Sequence, residues 1–343
     1  MNTDKQILIA AHTGIGNAIS LFPMIRTLKK KFPHSLIDII SPNKYGTNDL
    51  FSLDDDIHQV FTSLPNKNYH IFINPYFGRI NLLSLKLKMK NPRIQVLEHL
   101  SNSQTFLSKA SYLLKRCIGI KTTFFDPQNH ESYNNLLLLK ILAIDPSEFI
   151  LITTPKRNLS EKLRLKDSPF SLPSEYVVIQ PGAANHDETP KKWPLSHWKQ
   201  LAEKLSKNLP IVLVGDSHES EIGRSLEISP NIYNLCGKTT LFELCQVIKN
   251  ASFTIGVDSG IAHMASWLNV PTYVLWGPTS FIKNHPIGEN TCFISLNLSC
   301  SPCTGGVNLL SESHALKACP HKLSCMNNLT PSIVYDKIMR SQA

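Results

Sequence analysis

An acid, a serine, a glycine and a histidine stand close together at Asp258, Ser259, Gly260 and His263. The apolar run "FTIGV" precedes them and "IAHMASWL" carries His263 onward, so a buried strand breaks into a helix at this point. The first N–H groups of a helix have no partner within it, and the helix dipole adds partial positive charge there. A turn of this kind draws anions, phosphate above all. Gly260 lets a phosphate approach the backbone, Ser259 offers a hydroxyl donor, and His263 lies in the first turn, within reach of the same anion. The plain structural alternative is a capping Asp258 or Ser259 with His263 as a core histidine.

A second constellation is made of sulfur. Cys300, Cys303, Cys319 and Cys325 are spaced C-x2-C-x15-C-x5-C, with His314 and His321 among them. Four thiolates with one tight pair suit zinc or iron in a structural site; reduced, partly buried thiols are the alternative. The remaining cysteines, Cys117, Cys236, Cys245 and Cys292, stand in apolar surroundings and are expected as small core residues. Asp54-Asp55-Asp56 imitates a metal-binding D-x-D, but no further ligand follows, and a solvated turn is expected. Gly14-Ile15-Gly16-Asn17 imitates half of a dinucleotide fingerprint. Ile19 stands where its third glycine is required, which argues against NAD.

Elements must hold these groups in place, and the hydrophobic pattern supplies them. "QILIAAH", "SLIDIIS" and "YHIFINPY" read as strands, with an amphipathic helix after the glycine turn. From Pro155 to Pro173 the chain turns basic, polar and aperiodic. The pattern then restarts with "YVVIQPG", "PIVLVGD", "NIYNLCG", "FTIGV", "TYVLWG" and "CFISL", separated by helices. Alternating strands and helices imply α/β architecture with parallel, doubly wound sheets. The expected plan is two Rossmann-like domains facing a cleft, with strand carboxyl ends on its walls. The first spans 1–155, the linker 156–172 and the second, with the Cys cluster, 173–330; a terminal helix over 331–343 is expected to pack back on the first domain.

The chain has 343 residues, enough for two cores, with 42% hydrophobic and 18% charged residues, which excludes a disordered chain. A net charge of +9 suits an anionic partner such as a nucleotide phosphate or an anionic membrane. "LSLKLKMK" alternates apolar and basic residues, as a membrane-facing or acceptor-facing edge would. No secretory signal and no spanning stretch is read, so a cytoplasmic location is expected.

Four blocks in order carry a family resemblance. They are Gly14-Ile15-Gly16-Asn17 ahead of Pro23; Pro181-Gly182-Ala183 followed by Lys191-Lys192-Trp193-Pro194 and Trp198; Gly215 with Glu219; and Asp258-Ser259-Gly260-Ile261-Ala262-His263-Met264-Ala265 followed by Gly277-Pro278-Thr279. Together they resemble glycosyltransferase family 9, the ADP-heptose:lipopolysaccharide heptosyltransferases. The resemblance runs through nearly the whole chain and is densest from about Tyr176 to Thr279. It implies a GT-B fold, an ADP-sugar donor, and a lipopolysaccharide core or other glycan acceptor. It also implies an inverting reaction with no cofactor and no metal ion in the active site, at the inner face of the cytoplasmic membrane. Peripheral membrane association fits this setting, and no nucleic-acid partner is expected.

The resemblance also implies roles. Lys191 matches the diphosphate lysine, with Lys192 as its neighbour, and Glu219 matches the acid that holds the ribose hydroxyls. Trp193 is expected to pack. Asn17 stands where the family often has an aspartate, the base for the acceptor hydroxyl; an amide cannot take that proton usefully. His12, at the end of the first strand, is the nearest titratable substitute. The family often carries a similar Cys arrangement in this region, with a shorter stretch between the pairs, so zinc or iron there would be structural. Two alternatives are carried forward: a GT-B-like nucleotide-sugar epimerase, and a non-catalytic Cys-cluster metal-binding relative.

Overall fold

The computed structural model describes residues 4–11, 14–75, 82–100, 106–126, 128–151, 162–163, 168–182, 189–304, 315 and 317–342. The chain divides into two compact units, Met1–Lys156 and Arg157–Ala343.

The first unit runs β1 (Gln6–Ala10), α1 (Ile15–Ile19), α2 (Phe22–Lys31), β2 (Leu36–Ile40), α3 (Thr47–Ser52), β3 (Gln59–Phe61), β4 (Ile71–Asn74), α4 (Leu82–Lys90), β5 (Gln95–Leu100), α5 (Phe106–Cys117), β6 (Ile120–Phe124) and α6 (Glu131–Leu137). The second runs β7 (Val177–Ile179), α7 (Leu195–Leu205), β8 (Ile211–Leu213), α8 (Ser220–Ser225), β9 (Ile232–Asn234), α9 (Leu241–Lys249), β10 (Phe253–Val257), α10 (Gly260–Trp267), β11 (Thr272–Leu275), α11 (Phe281–Asn284), β12 (Thr291–Ile294), α12 (Ser324–Asn327) and α13 (Pro331–Gln342).

Each unit has a sheet of six parallel strands, in the orders β3-β2-β1-β4-β5-β6 and β9-β8-β7-β10-β11-β12. Counted within its own unit, each follows the doubly wound order 3-2-1-4-5-6 of a Rossmann fold. The strands read as nearly unbroken apolar runs because helices cover both faces of such a sheet. β10, for example, is buried throughout.

Local signals match the elements. Pro23 sits in the first turn of α2, where its missing N–H is not needed, and Lys29, Lys30 and Lys31 occupy the last turn, facing the negative end of the dipole. Thr240 and Glu243 form a capping box at the start of α9.

Two buried ion clusters hold the first unit. The Glu98 carboxylate on β5 pairs with Lys115 Nζ on α5 at 2.7 Å and accepts hydrogen bonds from Asn74 Nδ2 on β4 at 3.3 Å and from Ser84 Oγ on α4. Glu98 therefore fastens α4 and α5 over the same strand. Arg26 of α2 binds both Asp54 and Asp56, which are buried. This corrects the expectation of a solvated Asp54-Asp55-Asp56 turn. A guanidinium brought by a distant helix makes burial of these carboxylates affordable.

In the second unit Trp193 and Trp198 meet edge to face, with ring centroids 4.7 Å apart. Trp193 Nε1 donates to Leu329 O at 2.7 Å, so this tryptophan is a packing residue. Val334 and Ile338 of α13 enter the same core as Trp198 and Leu201, and Lys204 of α7 lies over the Tyr335 ring. α13 thus closes the second unit, a packing the sequence reading did not foresee. Among the described residues no helix is long and apolar enough to cross a membrane.

Candidate functional site

The second sheet reverses its strand order between β7 and β10, and open α/β sheets bind ligands beyond the carboxyl ends of their strands at such a point. Gln180 follows β7, Asp258 and Ser259 follow β10, and Gly215 and Glu219 follow β8 on the other side of β7.

Glu219 is almost wholly buried. Its Oε2 accepts from Asp216 N at 2.8 Å, closing a capping box, and its Oε1 accepts from Gln180 Nε2 at 3.4 Å. The slot exists because two residues beside it lack side chains. A Cβ on Gly182 would fall 1.8 Å from Glu219 Oε1, and one on Gly215 would fall 2.2 Å from Oε2. Burial pushes Glu219 up to about 7, and the Asp216 charge acts in the same direction; the hydrogen bonds from the Asp216 N–H and from Gln180 act against it.

Ser259 is the N-cap of α10, and its Oγ accepts from Ala262 N at 3.4 Å while donating to Gln180 Oε1. Its hydroxyl proton is therefore committed to Gln180, which corrects the expectation of a free donor. By position, the N–H groups of Gly260 and Ile261 are the donors that the helix start offers to an anion. The buried Asp258 carboxylate lies 3.4 Å from Lys191 Nζ, which brings the lysine pair to the same helix start. Lys192 is half-buried beside it.

His263 keeps part of its surface accessible, yet its ring is crowded on every side. Burial pushes the imidazole down to about 4; Asp258 opposes this, and Lys191 and His285 reinforce it. At neutral pH His263 is uncharged, so it brings no positive charge to the site, and its ring is hydrogen-bonded with the Asn284 backbone. Asn17 lies exposed on α1 of the first unit. His12 lies outside the described residues.

The Cys cluster lies against Gly277-Pro278-Thr279. Cys303 N donates to Pro278 O at 2.8 Å, and Thr279 pairs with Thr304. Burial pushes the Cys325 thiol up to about 11, and Cys303, Cys319 and Cys300 each add to the cost of ionising it, so these four thiols are neighbours. Their chemistry suits a soft metal, but among the described residues no three His, Cys, Asp or Glu side chains are grouped to hold one ion. His314 lies outside the described residues. Cys236 and Cys245 are buried as expected, whereas Cys117 is exposed and Cys292 only half-buried.

Sequence reasoning passed over Gln180 and Asp216. Asp216-Ser217-His218-Glu219 is a readable capping box. Gln180 gave a fainter signal, as a polar residue ending an apolar run just before a Pro-Gly turn.

The sequence profile of glycosyltransferase family 9 (heptosyltransferase) matches residues 153–314, which contain all of this second-unit site before the last two cysteines. The chain is also 25% identical to lipooligosaccharide heptosyltransferase 2 of Campylobacter jejuni, with 98% of each chain covered. Over its second unit the chain is similar to glycosyltransferase family 9, and over nearly its whole length to a heptosyltransferase. The fold agrees with this similarity. The structure of E. coli ADP-heptose lps heptosyltransferase II superposes with a TM-score of 0.74 at 17% identity, covering 98% of this chain and 100% of that one. The bacterial iron-containing dodecameric glycosyltransferase from enterotoxigenic E. coli superposes at 0.63 with 16% identity, covering 98% of this chain and 77% of that one. The architecture is the GT-B type. Neither the epimerase nor the non-catalytic Cys-cluster protein is favoured by these relationships.

Proposed function

We propose that this protein is a family 9 glycosyltransferase that transfers heptose from ADP-heptose to a lipopolysaccharide core acceptor, with inversion at the anomeric carbon and without a metal ion in the active site. The observation that carries the reading is the convergence of Lys191, Asp258, Glu219 and the start of α10 at the switch point of the second sheet. A departing nucleoside diphosphate gathers negative charge. Fixed donors and a cation stabilise that charge without a nucleophile. In this reading Lys191 and the first N–H groups of α10 hold the diphosphate, Lys192 adds charge nearby, His263 lines the site with its neutral ring, and Glu219 holds the ribose hydroxyls. One displacement by the acceptor hydroxyl then inverts the anomeric centre. Asn17 cannot take the acceptor proton, and His12 is assigned that task.

Incubating the protein with ADP-heptose and a core oligosaccharide tests the reading. A heptosylated product of opposite anomeric configuration, formed in the presence of EDTA, is the expected outcome. Release of ADP or rearrangement of the sugar without transfer would overturn it.

A membrane-facing surface on the first unit supports work on a lipid-anchored acceptor at the cytoplasmic membrane face. α4 and α5, both fastened to Glu98, expose Leu82, Met89, Leu113 and Leu114 with Lys86, Lys90 and Arg116. Apolar residues set among cations suit an anionic bilayer surface. Co-sedimentation with phosphatidylglycerol vesicles, lost in Leu113→Glu, is the outcome expected. The thiols Cys300, Cys303, Cys319 and Cys325 are a separate matter, decided by elemental analysis. Stoichiometric zinc or iron, lost when the four are changed to serine, would assign them a structural metal.

A further inference from the structure

Gln180 is a buried amide with both ends occupied. Its backbone N–H donates to Ile255 O at 2.9 Å, which seats the residue between β7 and β10. Its Nε2 faces Glu219 Oε1 at 3.4 Å, and its Oε1 accepts from Ser259 Oγ. Ser259 in turn caps α10 through Ala262 N. The chain of hydrogen bonds therefore runs from the Asp216 N–H through Glu219, Gln180 and Ser259 to the first turn of α10. It joins a carboxylate held after β8 to a helix start held after β10.

We propose that Gln180 is a positioning residue that ties the ribose-holding Glu219 to the phosphate-holding start of α10, so that one buried amide sets both halves of the donor site. This rests on the donor-site reading given above. The amide works in two directions. Its N–H group stabilises the ionised form of Glu219, the form that accepts hydrogen bonds from two ribose hydroxyls. Its carbonyl fixes the Ser259 hydroxyl on the cap, which leaves the backbone N–H groups of α10 aimed at the diphosphate.

The linkage has a definite sign. Burial pushes Glu219 up to about 7 in the free protein. Ribose hydroxyls favour the ionised carboxylate, so binding lowers the proton affinity of Glu219 and releases a proton where the free protein holds one. Donor affinity is then full above about pH 7 and falls as the pH drops below it. Among the described residues the other titratable groups acting on this carboxyl are Asp216 and His218, on the turn after β8, and Cys236, after β9. Asp216 and His218 are exposed and face each other at 3.3 Å, and the Cys236 thiol is held neutral by burial. Gln180 is the neutral donor that works on Glu219 from the strand side.

The experiment is calorimetric titration of the full chain with ADP-ribose between about pH 5.5 and 9. A terminal phosphate titrates near pH 6, whereas the diphosphate diester of this probe holds its two charges throughout. The wild-type affinity should fall by up to about tenfold per pH unit below a midpoint near 7. Glu219→Gln should abolish the dependence. Gln180→Leu should move the midpoint upward by about one unit, so that affinity lost at neutral pH returns at alkaline pH. Gln180→Glu, which keeps the size of the side chain, should move it upward as well, and it serves if the leucine variant does not fold. A loss in Gln180→Leu that is equal at every pH, or a wild-type affinity that ignores pH, overturns the relay and leaves the donor site standing. Absence of ADP-ribose binding at every pH overturns the donor site itself and the relay with it.

Discussion

Lys191 shows how much a single charge can be asked to do. Its ammonium lies against the buried Asp258 carboxylate, so truncating it does two kinds of harm. It removes the cation facing the leaving diphosphate, and it leaves a buried carboxylate beside that diphosphate. Loss of a transition-state donor costs about 10²–10³ in kcat. Lys191→Ala should fall in or below that range with a smaller change in KM, because the charge grows in the transition state. Adding Asp258→Asn should recover part of the loss. Steady-state kinetics on both variants decide the matter, and a single mutant with wild-type kcat would remove Lys191 from the mechanism. In the proposed function the acceptor side hinges on His12, since Asn17 cannot take the proton. His12→Ala should cost about 10²–10⁴ in rate and erase an acid limb near 6.5 in the pH–rate profile. An unchanged limb would move the base elsewhere. The places of Lys191, Glu219 and Ser259 beyond the strand ends were legible because each stands in a short motif with a local structural signature. Gln180 was not, because its importance lies in joining Glu219 and Ser259, which stand 39 and 79 residues further along the chain, and no spacing in one dimension reports that. The commitment of the Ser259 hydroxyl was hidden for the same reason.

At the scale of elements, the strands and helices were legible because parallel sheets demand long apolar runs, and this chain has them. What the pattern did not show was charge inside the core. Asp54 and Asp56 look like a wet turn until Arg26 arrives from α2. Lys115 likewise looks like one more surface lysine on α5, yet it is buried on Glu98 while Leu113 and Leu114 beside it face outward. Breaking a buried ion pair strands the remaining charge and costs about 3–5 kcal/mol, whereas replacing both partners by apolar groups is often neutral. Lys115→Met should therefore lower the midpoint of urea unfolding sharply, and Glu98→Leu/Lys115→Met should restore much of it. A single mutant that unfolds like the wild type would show that Glu98 is not charged there. The slot around Glu219 sets a different limit. Ala at position 182 or 215 would place a methyl group on the carboxylate, so Glu219 would have to leave its slot.

For the whole molecule, the division into two parallel-sheet units was legible because the strand pattern stops and restarts. The place of the last helix was not, because an amphipathic stripe says what a helix needs and not where it finds it. α13 finds it on α7, in the core of its own unit. Among the described residues, that core is built from the second unit's own side chains. The two halves should therefore behave as separable parts. Residues 157–343, expressed alone, should bind ADP-ribose with an affinity close to that of the intact chain, and calorimetry on the fragment checks this. Mixed with a separately made 1–156 fragment, it should recover transfer only at concentrations high enough for reassembly, with a rate that depends on dilution. A chain whose final helix bridged its halves could not be cut in this way. Here the polypeptide link serves as a tether that fixes the local concentration of one working part around the other.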